Sequence, residues 1–251
     1  MNLDLTFYAL ATACILLTGI SKSGFGGGLG VLSVPLLSLH VSPQLAASVL
    51  MPILLAMDIL IVVQYRARWR PAVVAMLLPG ALLGLSLGAG GFVALDPDMV
   101  RLGIGLLALG FVAQALWVRT DTAQPTPITV FALGMLSGFA SFVAHAGGPP
   151  VKGILLRQNL EKAVFVGTNT MFFFTMNAIK TVAYGAMGHL SAETLTVSLW
   201  LSPALLVGVA LGTVLHRYLG AQAFVWLVRV VLAVAGVRLT WLGLVGLWQG
   251  A

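Results

Sequence analysis

The chain has 251 residues, of which 59% are hydrophobic and 8% charged, with a mean hydropathy of +1.04. A soluble domain carries about 25% charged residues, so a water-soluble globular protein is excluded. The net charge of +6 reports membrane topology before it reports nucleic-acid binding, because short cytoplasmic loops collect Lys and Arg.

Apolar runs fall at 5–20, 29–39, 45–64, 72–93, 99–118, 128–143, 148–157, 164–184, 194–215 and 224–247. A helix that crosses a bilayer needs about 20 such residues, so the pattern predicts an all-α polytopic membrane protein. Asn2 and Asp4 open the chain without a basic region, and the first run therefore reads as structure rather than as a removable signal. The single cysteine, Cys14, lies in that run and reads as a small core residue. The only long polar stretch, 119–127, is too short for a soluble lobe.

That stretch divides the chain into a first transmembrane repeat, 1–119, a linker, 120–127, and a second transmembrane repeat, 128–251. Gly26, Gly27 and Gly28 match Ala146, Gly147 and Gly148, and Pro79, Gly84 and Gly88 match Pro203, Gly208 and Gly212. The basic loops fall out of phase between the copies. Arg66, Arg68 and Arg70 follow the third run, whereas Arg157, Lys162, His216 and Arg217 occupy loops whose first-half counterparts, 39–45 and 94–99, have no Lys or Arg. With basic loops inside, this predicts two inverted repeats with both termini outside. Each repeat is then a glycine-tipped broken or re-entrant hairpin followed by three transmembrane helices. The second arms, 29–39 and 149–156, are too short to cross at about 1.5 Å per residue.

The sharpest motif places Ser21, Lys22 and Ser23 before Gly24, Gly26, Gly27, Gly28 and Gly30. Such glycines disfavour a lipid-facing helix but permit positive φ and close approach to bare backbone N–H groups, which suits an anion. Non-helical backbone in transporters lines a cavity near the midplane. Close packing of small residues is the plain alternative. In the second copy Pro149 and Pro150 follow Gly147 and Gly148, and proline suits the first turn of a helix. The context lacks the strand that a dinucleotide fingerprint requires.

On these residues the sequence resembles the TauE/SafE family of sulfite and organosulfonate exporters. The first glycine run, ending in Pro35, fits the family pattern, and the resemblance covers nearly the whole chain. The second half resembles a branch with Ala144, His145, Ala146, Gly147, Gly148, Pro149 and Pro150, then Phe165, Val166, Gly167, Thr168, Phe172, Phe173, Phe174, Asn177 and Lys180. It departs from the commoner second copy of three glycines with a downstream proline. The resemblance implies export of a small sulfur-containing anion across the cytoplasmic (inner) membrane, with no bound cofactor.

Ionisable residues inside apolar spans are functional by default. Lys22 reads as a counter-charge for the anion at the first turn, against snorkelling to an interface. His145, at the second turn, reads as a donor or proton carrier, against a helix-packing role. Lys180 and Asp58 read either as a buried pair between the halves or with Lys180 facing the anion and Asp58 structural or coupling. Lys152 lies one turn beyond Pro149. Ser48 matches Thr168, followed by Asn169, and these with Asn177 read as hydrogen-bonding partners of the anion or of neighbouring helices. Arg238 reads as a member of a buried ion pair and Arg229 as interfacial.

No metalloprotease motif, phosphate-cradling loop or nucleophile elbow is present in the sequence, so an enzyme is not expected. The expected partners are a small anionic substrate, the lipid bilayer and a coupling proton or sodium ion, without nucleic acid. An importer or channel for a related anion such as thiosulfate, and a non-transporting membrane scaffold, stand as alternatives.

Overall fold

A computed structural model describes residues 3–25, 30–117, 124–215 and 221–249. It is all-helical across them: α1 (Leu5–Phe25), a 3₁₀ turn (Gly30–Leu32) leading into α2 (Ser33–Leu37), α3 (Pro43–Tyr65), α4 (Pro71–Ala94), α5 (Pro97–Trp117), α6 (Pro127–Ala144), α7 (Gly148–Arg157), α8 (Lys162–Ala186), α9 (Ala192–Leu215) and α10 (Ala221–Gln249). Each helix falls on one of the apolar runs. Among the described residues seven are long and apolar enough to cross a membrane: α1, α3, α4, α5, α6, α9 and α10. The 25-residue α8 has the length but is less apolar, because it carries Thr168, Asn169, Thr170, Asn177 and Lys180, all buried in the bundle. Large apolar side chains such as Val182, Leu199, Trp200, Trp241 and Trp248 face outward, as a lipid solvent requires.

Both short arms return to the end where their hairpin began. His40, after α2, pairs with Asp4 at 2.8 Å. At the matched place in the second half, Gln124 donates to the Arg157 carbonyl at 2.9 Å and Gln158 donates to Gln124 at 3.1 Å. Inside the first hairpin Thr18 and Ser33 hydroxyls meet at 2.7 Å.

The helix contacts map onto themselves when the halves are exchanged. α1 packs on α9 as α6 packs on α4, α3 touches α9 as α8 touches α4, and the α3–α8 and α5–α10 contacts pair each helix with its own counterpart. Glycine seams make the swapped contacts possible. A Cβ on Gly84 would collide with the Met135 carbonyl, and one on Gly138 with the Ala81 carbonyl. On the other side a Cβ on Gly19 would lie 2.9 Å from the Gly208 backbone, and one on Gly212 would strike the Ser23 hydroxyl. The matched glycines of the two halves thus serve backbone-to-backbone packing, the small-residue mode of helix association in lipid. The matched prolines Pro79 and Pro203 lie inside α4 and α9. Pro203 cannot bond the Leu199 carbonyl through its nitrogen, and the Ser202 hydroxyl donates to it instead at 2.7 Å.

Gly84→Ala will therefore cost about 1–3 kcal/mol of overpacking and lower the melting temperature in detergent. Gly90→Ala, where a Cβ meets nothing within 4 Å, will leave it unchanged or slightly higher.

Candidate functional site

A small cavity of about 30 Å³ lies between the two hairpins. Hairpin one contributes Thr18, Lys22, Gly30 and Val31, hairpin two Ser141, His145 and Gly148, and the helices behind them Leu54, Phe173, Asn177 and Lys180. One water needs roughly 10–15 Å³ on this measure, so the space suits a few small polar atoms.

Lys22 stands in the last turn of α1 and its ammonium donates to Asp58 Oδ1 at 2.5 Å. Asp58 is fully buried on α3, and its second oxygen accepts from Asn177 Nδ2 of α8, also at 2.5 Å. The direct Asp58–Lys180 pair considered from sequence is thus replaced by a Lys22–Asp58 pair. The reason is geometric: Asn177, one turn before Lys180, takes the oxygen that faces α8.

Lys180, fully buried, donates to the Ser141 carbonyl at 2.7 Å, to the Ser141 hydroxyl at 3.2 Å and to His145 Nδ1 at 2.8 Å. All three acceptors are uncharged. On its other side His145 Nε2 lies 2.9 Å from the Ala47 carbonyl. A carbonyl only accepts, so Nε2 carries a proton, while Nδ1 lies between the Lys180 amine at 2.8 Å and the Ser141 carbonyl at 3.3 Å. Lys22, Lys180 and the single carboxylate of Asp58 thus gather around one pocket.

The second hairpin turn departs from its expected backbone. Gly147 has φ −70, whereas His145, the C-cap of α6, takes the left-handed conformation at φ 51. Histidine tolerates that region better than most side chains, and the ring contacts to Ala47 and Lys180 hold it there. Gly147 is needed for closeness instead, since a Cβ would stand 2.7 Å from the Ser137 carbonyl oxygen. The Ser137 hydroxyl in turn donates to the Gly147 carbonyl at 2.7 Å.

Of the residues singled out in the sequence, Lys22, His145, Gly148, Asn177 and Lys180 line the pocket, with Asp58 directly behind Lys22. Gly26, Gly27 and Gly28 lie outside the described residues. Ser23 donates to the Gly19 and Val209 carbonyls in the α1–α9 seam, and Ser48 to the Gln44 carbonyl. Thr168 donates to the Val164 carbonyl and accepts from the Arg70 amide, tying α8 to the start of α4. Ser21 and Asn169 are buried away from the pocket lining. Lys152 is half-buried on α7, within electrostatic reach of Arg229. Arg238 is exposed, not in a buried ion pair.

Sequence reading missed Thr18 and Ser141. The available signal was helical spacing, because each stands four residues before a recognised pocket residue, Lys22 or His145, and so on the same helix face.

From His145 an aromatic stack leads towards the loop between α8 and α9. Tyr184 stacks on His145 and touches Phe142, Phe92 and His189 with ring centroids 5.0–6.2 Å apart, and its hydroxyl donates to the Phe142 carbonyl at 2.8 Å. His189, at the outer end in that loop, is held below the usual imidazole pKa by its partial burial, so it enters the stack uncharged at neutral pH.

A lipid-faced helical bundle with a polar pocket between two helical hairpins has the organisation of a membrane transporter. The chain belongs to the TauE/SafE sulfite exporter family: the family model described as "Sulfite exporter TauE/SafE" matches residues 11–239. No curated protein and no solved structure matches the chain. It is accordingly a multi-pass membrane transporter, and the family is one of transporters rather than enzymes.

Lys22→Met will strand the Asp58 carboxylate and destabilise the protein by about 3 kcal/mol. Adding Asp58→Leu will recover most of that loss, and thermal unfolding of the two variants in detergent measures both effects.

Proposed function

We propose that the protein is a secondary transporter that exports a small sulfur-containing anion, sulfite or an organosulfonate, across the cytoplasmic (inner) membrane. The anion binds between the two hairpins on Lys180 and Lys22. The observation that carries this reading is Lys180: a fully buried lysine lines the pocket with no carboxylate partner, and a bound anion would pair with its protonated amine. Asn177, Thr18 and the Ser141 hydroxyl stand around the same space as hydrogen-bonding partners.

Residues 1–119 and 128–251 are the two repeats, joined by 120–127, and they are inverted. Support comes from parity: each hairpin closes at its own mouth, so the three helices after it deliver the chain to the opposite face before the second copy starts. Arg66, Arg68, Arg70, Arg157 and Lys162 then share one face, the cytoplasmic one. Asp4, Asp96, Asp98 and Glu193 share the other, together with both termini. Contacts between helix ends agree. A Cβ on Gly167, near the start of α8, would strike the Arg68 carbonyl, and the far ends meet where His189 touches Phe92.

Alternating access follows from motion around the pocket, with the Phe92, Phe142 and Tyr184 stack closing its outer side. The moving bodies are the glycine-seamed pairs α1–α9 and α4–α6, since rocking of whole repeats would tear both seams.

Flux of labelled sulfite into proteoliposomes tests the reading. The native chain will carry it and Lys180→Gln will not, although the variant still inserts. Binding to the native state will also raise thermal stability, by about 2.7 kcal/mol at a hundredfold excess over Kd. Neither flux nor stabilisation with sulfite, sulfate, thiosulfate, taurine or sulfoacetate would leave a membrane scaffold as the reading. In a Cys14→Ser background, Arg68→Cys will react with an impermeant thiol reagent only from the cytoplasmic face, and Glu193→Cys only from the outer face.

A further inference from the structure

Asp58 is the one fully buried carboxylate among the described residues, and it stands behind the ammonium that the proposed anion would use. Both its oxygens are occupied, by Lys22 and by Asn177. The groups around it are Lys22 from α1, Asn177 and Lys180 from α8, and across the pocket His145 at the end of α6. The helices α2, α5 and α9, which also pack on α3, add no titratable group to that set.

Charge balance then separates two kinds of load. With Lys22 and Lys180 both protonated, a singly charged oxyanion balances the charge of the pocket, and Asp58 remains a carboxylate paired with Lys22. A doubly charged oxyanion then leaves one uncompensated negative charge beside fully buried groups, where unpaired charge is neutralised by protonation. Lys22 carries three donors, so it can turn towards the anion while Asp58 keeps its bond to Asn177.

We infer that Asp58 takes up one proton when a divalent oxyanion occupies the pocket and gives it back when the anion leaves, so that divalent anion and proton cross together. The proton comes from the water on the loading side and is released with the anion on the other. No covalent bond other than that carboxyl O–H forms or breaks. The inference rests on the anion-binding reading above and adds the coupling of that site.

The experiment compares two probes of constant charge, divalent thiosulfate and monovalent methanesulfonate, binding to the purified full chain in detergent between about pH 5.5 and 8. Uptake of one proton per anion makes affinity fall about tenfold per pH unit. Thiosulfate binding to the native chain will show that slope and methanesulfonate binding will not. A pH-indicator dye in weak buffer will register one proton taken up per thiosulfate bound, a readout that needs no variant. Asp58→Asn will flatten the thiosulfate slope, and His145→Gln will keep it. A flat slope for thiosulfate, an equal slope for methanesulfonate, or a slope lost in His145→Gln but kept in Asp58→Asn overturns the coupling while anion binding stands. Binding of neither probe, with no sulfite flux, overturns the anion site itself and the coupling with it.

Discussion

Two lysines and one buried carboxylate lie at the centre of this bundle, and much of the architecture is arranged so that none of the three is left without a partner. A charge in such an interior survives only with hydrogen bonds on every side. The Lys22–Asp58 pair therefore draws α1 to α3, and the bond from Asn177 to Asp58 draws α3 to α8. Lys180 is satisfied differently, by backbone and side-chain groups of the second hairpin. That difference separates a locked cation from an available one: Lys22 already has its counter-ion, whereas Lys180 has only dipoles.

The same requirement explains why the second hairpin turn lies inside the bundle and not in lipid. A broken helix exposes backbone N–H and C=O groups that hydrocarbon cannot satisfy. At the second turn the repairs are visible: the Ser137 hydroxyl takes the Gly147 carbonyl, and the Lys180 ammonium takes the Ser141 carbonyl. His145 closes α6 in a left-handed conformation, and its ring, fixed between Ala47 and Lys180, turns a backbone irregularity into part of the pocket wall. Gly147 beside it provides closeness rather than an unusual dihedral angle.

Much of the helical fold was legible from the sequence, because hydropathy reports which segments lipid will accept and each apolar run became a helix. The hairpin arms were legible from length, and Lys22, His145, Asn177 and Lys180 from the cost of polar groups in apolar spans. What escaped was partnership. Nothing in the spacing of Lys22, Asp58 and Lys180 tells which lysine meets the carboxylate, since that depends on how α1, α3 and α8 cross. Ser23, Ser48 and Thr168 looked alike as small hydroxyl residues near a motif. Their hydroxyls instead serve a glycine seam, a helix turn and a helix start, destinations set by packing between segments far apart in the chain.

The swapped packing also constrains how such a transporter can move. The long arm of each hairpin is joined by glycines to the middle one of the three helices that follow the hairpin in the other half, α1 to α9 and α6 to α4. Backbones that close cannot slide or separate without losing many contacts at once, because no side chains stand between them to rearrange. The α3–α8 contact at the pocket is of another kind: a polar bridge, Asp58 to Asn177, in which single hydrogen bonds can exchange for bonds to an anion. The compliant surface of the proposed transport cycle therefore passes through the pocket and the glycine seams stay rigid, so that rearranging the charges around Lys22, Asp58 and Lys180 is the step that frees one seamed pair to tilt against the other.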